Sequence, residues 1–363
     1  MKNKLITYTL RFTKMLAGIR QLGNPGKRSP QLNKQPAEAH RLQFDFSARH
    51  QVNLWKLENA LCTSLYGGAV IDSHNKMYER FSQFPWGIEL HPAMSQPYLG
   101  AISKKIGKGV FLITPEARNN YYHWMVDLLP RLLLAKKYSL QEFQGARIIL
   151  HSPARDYEDQ TLALAGVSPE QVIRLNRFEL IQAEQLLVPD YEGAELVFPE
   201  WKKQLLNEFK TDVLGYAKKV AHRKIYLVRG KQRTRQLIGE DHLIQALEEK
   251  GFEAIDPQLL TLKQQMKVLS EASVVVALHG AALTNLVFCL PGTQVIEIRN
   301  NHDAPEYFRA LSKVYGLHFE TLGVRPRKEK QRRIHSNREN LILTQEDVER
   351  LIKMTGNQLC KLT

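Results

Sequence analysis

Cysteine is scarce in this chain of 363 residues. Cys62, Cys289 and Cys360 are odd in number and far apart, so they make neither a disulfide framework nor a CxxC metal site, and they suit a reducing compartment. Long apolar runs are missing too. No stretch approaches the roughly 18 uninterrupted apolar residues of a spanning helix, which excludes a helical integral membrane protein. Several chemical signatures are absent. Without GxGxxG, a nicotinamide or flavin dehydrogenase is disfavoured, and without GxxxxGK[ST] or GxSxG so are a phosphate-loop NTPase and a serine hydrolase. No two aspartates stand two positions apart, and no HxxxH or Cys/His cluster is found. The sequence therefore predicts no metal ion and no cofactor.

Acidic residues are outnumbered as well. Lys and Arg total 51 against 37 Asp and Glu, a net charge of +14, which favours anionic partners: nucleic acid, anionic lipid or phosphate-bearing substrates. The excess is uneven. Residues 1–28 carry Lys2, Lys4, Arg11, Lys14, Arg20, Lys27 and Arg28 and no acid, and a second cluster runs through Arg325, Arg327, Lys328, Lys330, Arg332, Arg333 and Arg338. The leader is too charged for a secretory signal, because Arg11 and Lys14 interrupt its apolar residues. As a basic amphipathic helix it would lie on an anionic membrane surface; as a plain basic leader it would do nothing.

What is present is globular. Apolar residues make up 43% and charged residues 24%, and the length favours two domains. Residues 21–40 read as a linker rich in Pro, Gly, Asn and Gln. Four segments are expected: a basic leader and linker over 1–40, an amino-terminal domain over 41–215, a carboxyl-terminal domain over 216–325, and a basic segment with a final helix over 326–363. In the first domain, strands are expected at 108–113, 147–150 and 185–188, and helices at 120–138 and 199–219. From Arg223 on, strands (224–228, 252–255, 274–278, 294–298, 317–321) alternate with helices (240–250, 261–271, 281–288, 304–314), the signature of a parallel, doubly wound sheet. Thr261 with Gln264 forms a capping box, and Thr344 and Asp347 cap a last helix at 345–354.

Ligands of such sheets bind beyond the carboxyl ends of the strands. Arg229 and Arg235 follow the first of these strands, His279-Gly280-Ala281-Ala282 follow the third, and Glu297 and Arg299 end the fourth. The small residues admit a ligand to the backbone, and free N–H groups at a helix start favour an anion. Two arginines can clamp a diphosphate with forked hydrogen bonds, and Glu297 can accept from ribose hydroxyls. Together they describe a nucleoside-diphosphate site, against the plainer alternative of a tight strand–helix turn with solvated arginines. In the first domain, His123 and Asp127 stand four apart in Asn120-Tyr-Tyr-His-Trp-Met-Val-Asp-Leu-Leu-Pro-Arg131 and share a face if helical. Imidazole beside carboxylate suits a general base. The alternative is that Asp127 pairs with Arg131 and His123 is an ordinary core side chain.

These segments resemble glycosyltransferase family 61. Residues 120–131 are similar to its amino-terminal motif, Arg229 through Arg235 to its middle block, and Ala277-Leu-His-Gly-Ala-Ala-Leu-Thr-Asn285 through Pro291-Gly-Thr-Gln-Val-Ile-Glu297 to its carboxyl-terminal signature. The likeness runs from about Val110 to Ile298. It implies a GT-B fold, an α/β architecture of two Rossmann-like domains facing across a cleft. It also implies an inverting, metal-independent hexosyl- or pentosyltransferase of the kind found in bacterial capsular polysaccharide synthesis. The nucleotide-sugar donor would be held by Arg229, Arg235, His279, Gly280, Ala281, Ala282, Asn285 and Glu297. His123 or Asp127 would take the proton of a saccharide or lipid-linked saccharide acceptor. One departure stands out: the family often has asparagine four residues after the second arginine, where this chain has Gly239. The expected setting is cytoplasmic, at the inner face of the membrane through residues 1–28, with no nucleic-acid partner. Competing readings are a non-catalytic scaffold, a nucleic-acid-binding protein and a nucleotide-sugar epimerase.

Overall fold

The structure is a computed structural model that describes residues 31–33, 40–47, 50–82, 84, 87–95, 99, 101–191, 198–215, 220–229, 235–300, 306–327 and 340–356, with side chains from residue 52 onward. The basic leader, residues 230–234, most of the second basic cluster and Cys360 lie outside the described residues. The chain divides into two compact units, Met1–Ala194 and Glu195–Thr363.

The first unit is built on one mixed nine-stranded sheet. Its strands are β1 (Gln31–Asn33), β2 (His40–Ser47), β3 (His50–Thr63), β4 (Ala69–Ile71), β5 (Lys76–Tyr78), β6 (Ile102–Phe111), β7 (Arg147–His151), β8 (Val172–Leu175) and β9 (Leu180–Pro189). The order β9-β6-β7-β8 is parallel throughout, and β3 then runs antiparallel along β9 and carries β2 and β4. A wholly parallel Rossmann-like sheet is therefore not what forms here. The rest of the sheet is an extension paired antiparallel except where β1 lies parallel to β5.

That extension escaped the sequence pattern for a local reason. Trp55 and Leu57 face one hydrophobic core, and so do Ala60 and Cys62, so the inward parity changes midway along β3. The change falls at Asn59, whose φ of 51° is left-handed. Asparagine tolerates that conformation better than most residues, and the kink breaks the period-two alternation by which a strand is read.

The second unit forms a five-stranded, wholly parallel sheet of β10 (Arg223–Leu227), β12 (Phe252–Ile255), β13 (Ala272–Leu278), β14 (Gln294–Asn300) and β15 (His318–Val324), joined by a short pair of β11 (Leu237–Ile238) and β16 (Leu341–Ile342). The spatial order is β12-β10-β13-β14-β15. Counted within this sheet, that is 2-1-3-4-5, the flavodoxin-like doubly wound order. Val274, Val276 and Leu278 of β13 and Ile296 and Ile298 of β14 pack with Leu243, Leu247, Val348 and Leu351 in one core. The alternate residues Val275, Ala277, Val295 and Glu297 are buried as well, which is why these strands read as continuous apolar runs.

Helix Glu200–Leu214 belongs to this second unit, packed on helix Leu262–Ser270 and the 3₁₀ segment Ala281–Phe288, rather than closing the first domain at residue 215. It stops at Gly215, whose φ of 80° suits glycine at a helix end. The carboxyl-terminal helix Gln345–Gly356 likewise adds Val348 and Leu351 to this unit's core and is not a separate appendage. Both capping devices expected from sequence are formed: Thr261 with Gln264, and Thr344 Oγ1 with Asp347 Oδ2 at 2.8 Å. Among the described residues no helix is long and apolar enough to cross a membrane.

Candidate functional site

The switch point of a doubly wound sheet lies where strand order reverses, here between β10 and β13. The residues just past those strands are Arg229 and His279. The loop positions they occupy follow from the register: Leu227 of β10 pairs with Ala277 of β13, and Leu278 pairs with Ile298 of β14. Side chains two apart point to one face, so Ala277 and His279 share a face with Glu297 and Arg299.

The arrangement at this edge is ordered by hydrogen bonds. His279 Nδ1 donates to Glu297 Oε1 at 2.6 Å, while Glu297 is 1% exposed. Arg299 Nη1 lies 3.6 Å from the other carboxylate oxygen and 2.7 Å from Glu306 Oε1. The ring of Phe308 stands edge-on to the imidazole at 5.4 Å between centroids. Arg229 Nη1 and Arg235 Nη1 both donate to the His279 carbonyl, at 3.5 Å and 3.4 Å. Burial, and after it the neighbouring Arg235 charge, lower the Arg229 pKa to about 10 against the opposing effect of Glu240. Two guanidinium groups drawn to one carbonyl, one of them largely desolvated, make an electropositive locus suited to an anion.

Gly280 leaves room for this. A Cβ at that position would run into the Arg229 guanidinium, so the missing side chain is what lets the arginine lie against the backbone. The backbone there is extended, with φ of 169°, so close approach rather than a left-handed turn is the reason for glycine. Ala281 and Ala282 open the 3₁₀ segment that follows.

Glu240 faces inward, accepting from Tyr226 Oη at 2.8 Å and from the Arg229 backbone N–H at 3.2 Å. Gly239 precedes it with φ of 91°, a left-handed position before helix Glu240–Glu248. Glycine and asparagine are the residues that adopt this conformation at least cost. The glycine is therefore a conformational equivalent of the asparagine expected there, though it supplies no side-chain amide.

Two predicted site residues are placed differently from expectation. Glu297 is buried and holds His279, so it orients the imidazole instead of offering its oxygens to a ribose. Asn285 is 1% exposed, and its Nδ2 donates to Gln265 Oε1 at 2.7 Å, which ties the 3₁₀ segment to helix Leu262–Ser270. It acts in packing behind the strand-end loop. Arg299 is visible in the sequence beside Glu297, whereas Gln265, which holds Asn285, carries no motif signal.

In the first unit, the expected helix over 120–138 forms in three pieces: an α-turn at Tyr121–His123, a π-turn at Trp124–Leu128 and an α-helix at Leu129–Tyr138. Pro130 explains the π-turn. Its ring would clash with the carbonyl four residues back, and it has no N–H to donate. The chain widens by one residue instead, and the Leu129 N–H bonds to the Trp124 carbonyl five back. Asn120 caps the start through Tyr122 N–H.

This run follows the carboxyl end of β6, the position expected of a ligand-facing helix. His123 Nδ1 donates to Asp127 Oδ2 at 2.7 Å, and Asp127 is 2% exposed. Arg131 feels the Asp127 charge and donates hydrogen bonds to backbone carbonyls. Its guanidinium is buried among the carbonyls of Phe111, Leu112 and Pro189, with contacts of 2.9–3.4 Å, and burial lowers its pKa to about 10. The imidazole's Nδ1 is thus engaged and its Nε2 is the nitrogen left for chemistry. Edge-on rings of Tyr122 against His123, and of Tyr121 and Trp124 against Tyr157, surround the pair.

Each unit therefore carries a histidine held through Nδ1 by a buried carboxylate, and the second unit adds two arginines and a glycine-lined strand end. An imidazole fixed in this way presents its other nitrogen to a reacting proton. Residues 121–296 match the Glycosyltransferase 61 family model. Similar proteins include a beta-1,2-xylosyltransferase of Oryza sativa subsp. japonica, 34% identical over 65 residues, 18% of this chain and 12% of the relative. A xylan glycosyltransferase of Arabidopsis thaliana is 30% identical over 101 residues, 26% of this chain and 20% of the relative. A beta-1,2-xylosyltransferase of Arabidopsis thaliana is 30% identical over 63 residues, 17% of this chain and 12% of the relative. The matches thus span a fifth or less of these plant relatives.

Proposed function

We propose that the chain is an inverting glycosyltransferase that moves a sugar from a nucleoside-diphosphate donor to a saccharide acceptor without a metal ion. The observation that carries this is the convergence of Arg229 and Arg235 on the His279 carbonyl at the switch point of the second unit, within a segment that matches the glycosyltransferase family model. The donor's diphosphate is assigned to those two guanidinium groups, to the His279 imidazole in its imidazolium form and to the backbone at Gly280–Ala282. The acceptor hydroxyl is assigned to His123.

The reaction is a single displacement. His123 Nε2 takes the acceptor proton as the acceptor oxygen bonds to the anomeric carbon. The bond from that carbon to the diphosphate oxygen breaks, and the negative charge it leaves falls on the diphosphate. Arg229, Arg235 and His279 stabilise that charge, and because it grows toward the transition state they lower the barrier as well as hold the donor. Asp127 keeps the imidazole oriented and steadies the imidazolium that forms, which makes His123 the base and Asp127 the positioning residue.

Finer features of the proposal rest on other support. The GT-B class and the inverting outcome rest on the family resemblance. A pentosyl donor is favoured by the xylosyltransferase names of similar proteins. A cell-surface polysaccharide or lipid-linked acceptor, of capsular or lipopolysaccharide type, and a site of action at the inner membrane face rest on the resemblance and on the +14 charge. The test is direct: purified full chain is incubated with nucleoside-diphosphate pentoses and hexoses and saccharide acceptors, with EDTA present. The expected result is a glycosylated acceptor of inverted anomeric configuration by NMR. Donor turnover to an isomeric nucleotide sugar with no acceptor product would overturn it in favour of an epimerase.

A further inference from the structure

Glu297 is turned into the sheet and holds His279, so the carboxylate that a nucleoside's hydroxyls call for must come from elsewhere. Another acid stands at the same strand edge. Glu240 opens helix Glu240–Glu248, and its Oε1 accepts from Tyr226 Oη at 2.8 Å and from the Arg229 backbone N–H at 3.2 Å. Tyr226 is the buried penultimate residue of β10, so the carboxylate is fixed against the end of that strand, at the switch point. Its charge also reaches the Arg229 guanidinium, where it opposes the lowering of the pKa by burial and by Arg235.

Both of these bonds end on Oε1. Oε2 accepts no hydrogen bond among the described residues, and the side chain is half-buried, not sealed, so one carboxylate oxygen is left to a ligand beside the two guanidinium groups. An ionised carboxylate can only accept hydrogen bonds. It repels a bare diphosphate and binds a ligand that brings hydroxyl donors. The placement therefore selects among anions: Arg229 and Arg235 attract any phosphate, and Glu240 favours one that carries a hydroxylated ring. The plainer account is that Glu240 only orients Arg229, through the backbone N–H and the charge it sets beside the guanidinium.

We propose that Glu240 is a specificity residue of the donor site, its Oε2 accepting from a hydroxyl of a sugar ring joined to the donor's diphosphate. The assignment rests on the reading of the Arg229–His279 edge as a nucleoside-diphosphate site. Two rings flank the diphosphate of such a donor, the nucleoside's ribose and the sugar to be transferred, and both present the same hydroxyl chemistry. A site built to hydrogen-bond a hydroxyl rejects the analogue that lacks it, because the polar group of the site is then left unpaired. That rejection is the property to measure.

The experiment uses the full chain and its Glu240→Gln variant, which keeps the shape and an acceptor oxygen for Tyr226 and Arg229 and removes the charge. Uridine, cytidine, guanosine and adenosine diphosphates, their 2′-deoxy and 3′-deoxy forms, and pyrophosphate are titrated by calorimetry. One nucleoside diphosphate is expected to bind roughly tenfold or more tighter than a deoxy form, and Glu240→Gln to bring that ratio to within about threefold. Pyrophosphate, which has no ring hydroxyl to offer, is expected to bind the variant at least as tightly as it binds the wild type. The ratio is taken within one protein, so a general loss of folded protein moves both ligands together. Glu240→Asp, which keeps the charge and shortens the reach, is expected to lose the ratio as well. Nucleoside-diphosphate pentoses and hexoses separate the sources: a gain over the parent diphosphate that Glu240→Gln erases, with no ribose ratio, assigns the hydroxyl to the transferred sugar. Equal weakening of every ligand, pyrophosphate included, would overturn the proposal and leave Glu240 as a positioning residue for Arg229. Ratios that both variants leave intact would overturn it too. Binding of neither nucleotides nor pyrophosphate would overturn the donor-site reading itself, and this assignment with it.

Discussion

His279 Nδ1 and Glu297 Oε1 lie 2.6 Å apart across the ends of two adjacent parallel strands. The carboxylate is buried and the imidazole is at the edge, so the pair holds an otherwise mobile ring in one orientation. Glu297→Gln keeps the shape and removes the charge. We expect a loss of roughly 10- to 100-fold in turnover, the worth of about 1.5–3 kcal/mol for a hydrogen bond to a charged group, with a smaller change in donor affinity. Steady-state kinetics with varied donor checks this, and unchanged turnover would mean that the dyad is only structural.

The Arg229 guanidinium depends on the bare backbone of Gly280. Gly280→Ala pushes it away from the strand end. Nucleoside-diphosphate affinity is expected to fall by at least tenfold while the melting temperature shifts by no more than a few degrees. Calorimetric titration and thermal unfolding of the same sample separate the two effects.

Asn285 is expected to behave in the opposite way. Its amide ties two elements together inside the unit, so Asn285→Ala leaves Gln265 with a lost partner and costs about 1–3 kcal/mol of stability. Denaturant unfolding reads that loss. Nucleotide affinity, measured well below the transition, is expected to stay within a factor of three.

Two buried histidines of the first unit set an acid limit. Burial lowers the pKa of His91 and of His151 to about 4, from the usual 6.5. Both are neutral in the folded chain and take up protons on unfolding once the pH is below 6.5. The unfolded state then binds more protons than the native state, so stability falls as pH falls from about 6.5 to about 4, by up to ~1.4 kcal/mol per pH unit for each histidine. Unfolding free energies across that window are expected to show this slope. His151→Gln, with its Thr114 carbonyl contact reduced, is expected to flatten it.

The second unit was legible because its strands are buried on both faces and its helices carry their caps in the sequence. Thr261 with Gln264 and Thr344 with Asp347 mark their helix starts unaided. The first unit was less so. The left-handed kink at Asn59 hides β3, and nothing local announces that a parallel sheet continues into an antiparallel one. Site residues divide in the same way. Arg229, His279 and His123 are visible as chemistry at strand ends and helix starts. That Glu297 and Asn285 face inward follows from side-chain packing, which no spacing encodes. The basic leader and residues 230–234 lie outside the described residues, so the expectations placed on them are carried by sequence alone.

The central claim is that a nucleoside diphosphate binds at the Arg229–His279 strand ends. It is tested most directly by thermal unfolding of the full chain against a panel of nucleoside mono- and diphosphates, with and without EDTA. A ligand bound only by the folded state raises the melting temperature by mass action. The account predicts a rise with one nucleoside diphosphate that survives EDTA and disappears in Arg229→Ala. No rise with any nucleotide, or a rise that Arg229→Ala leaves intact, would contradict it.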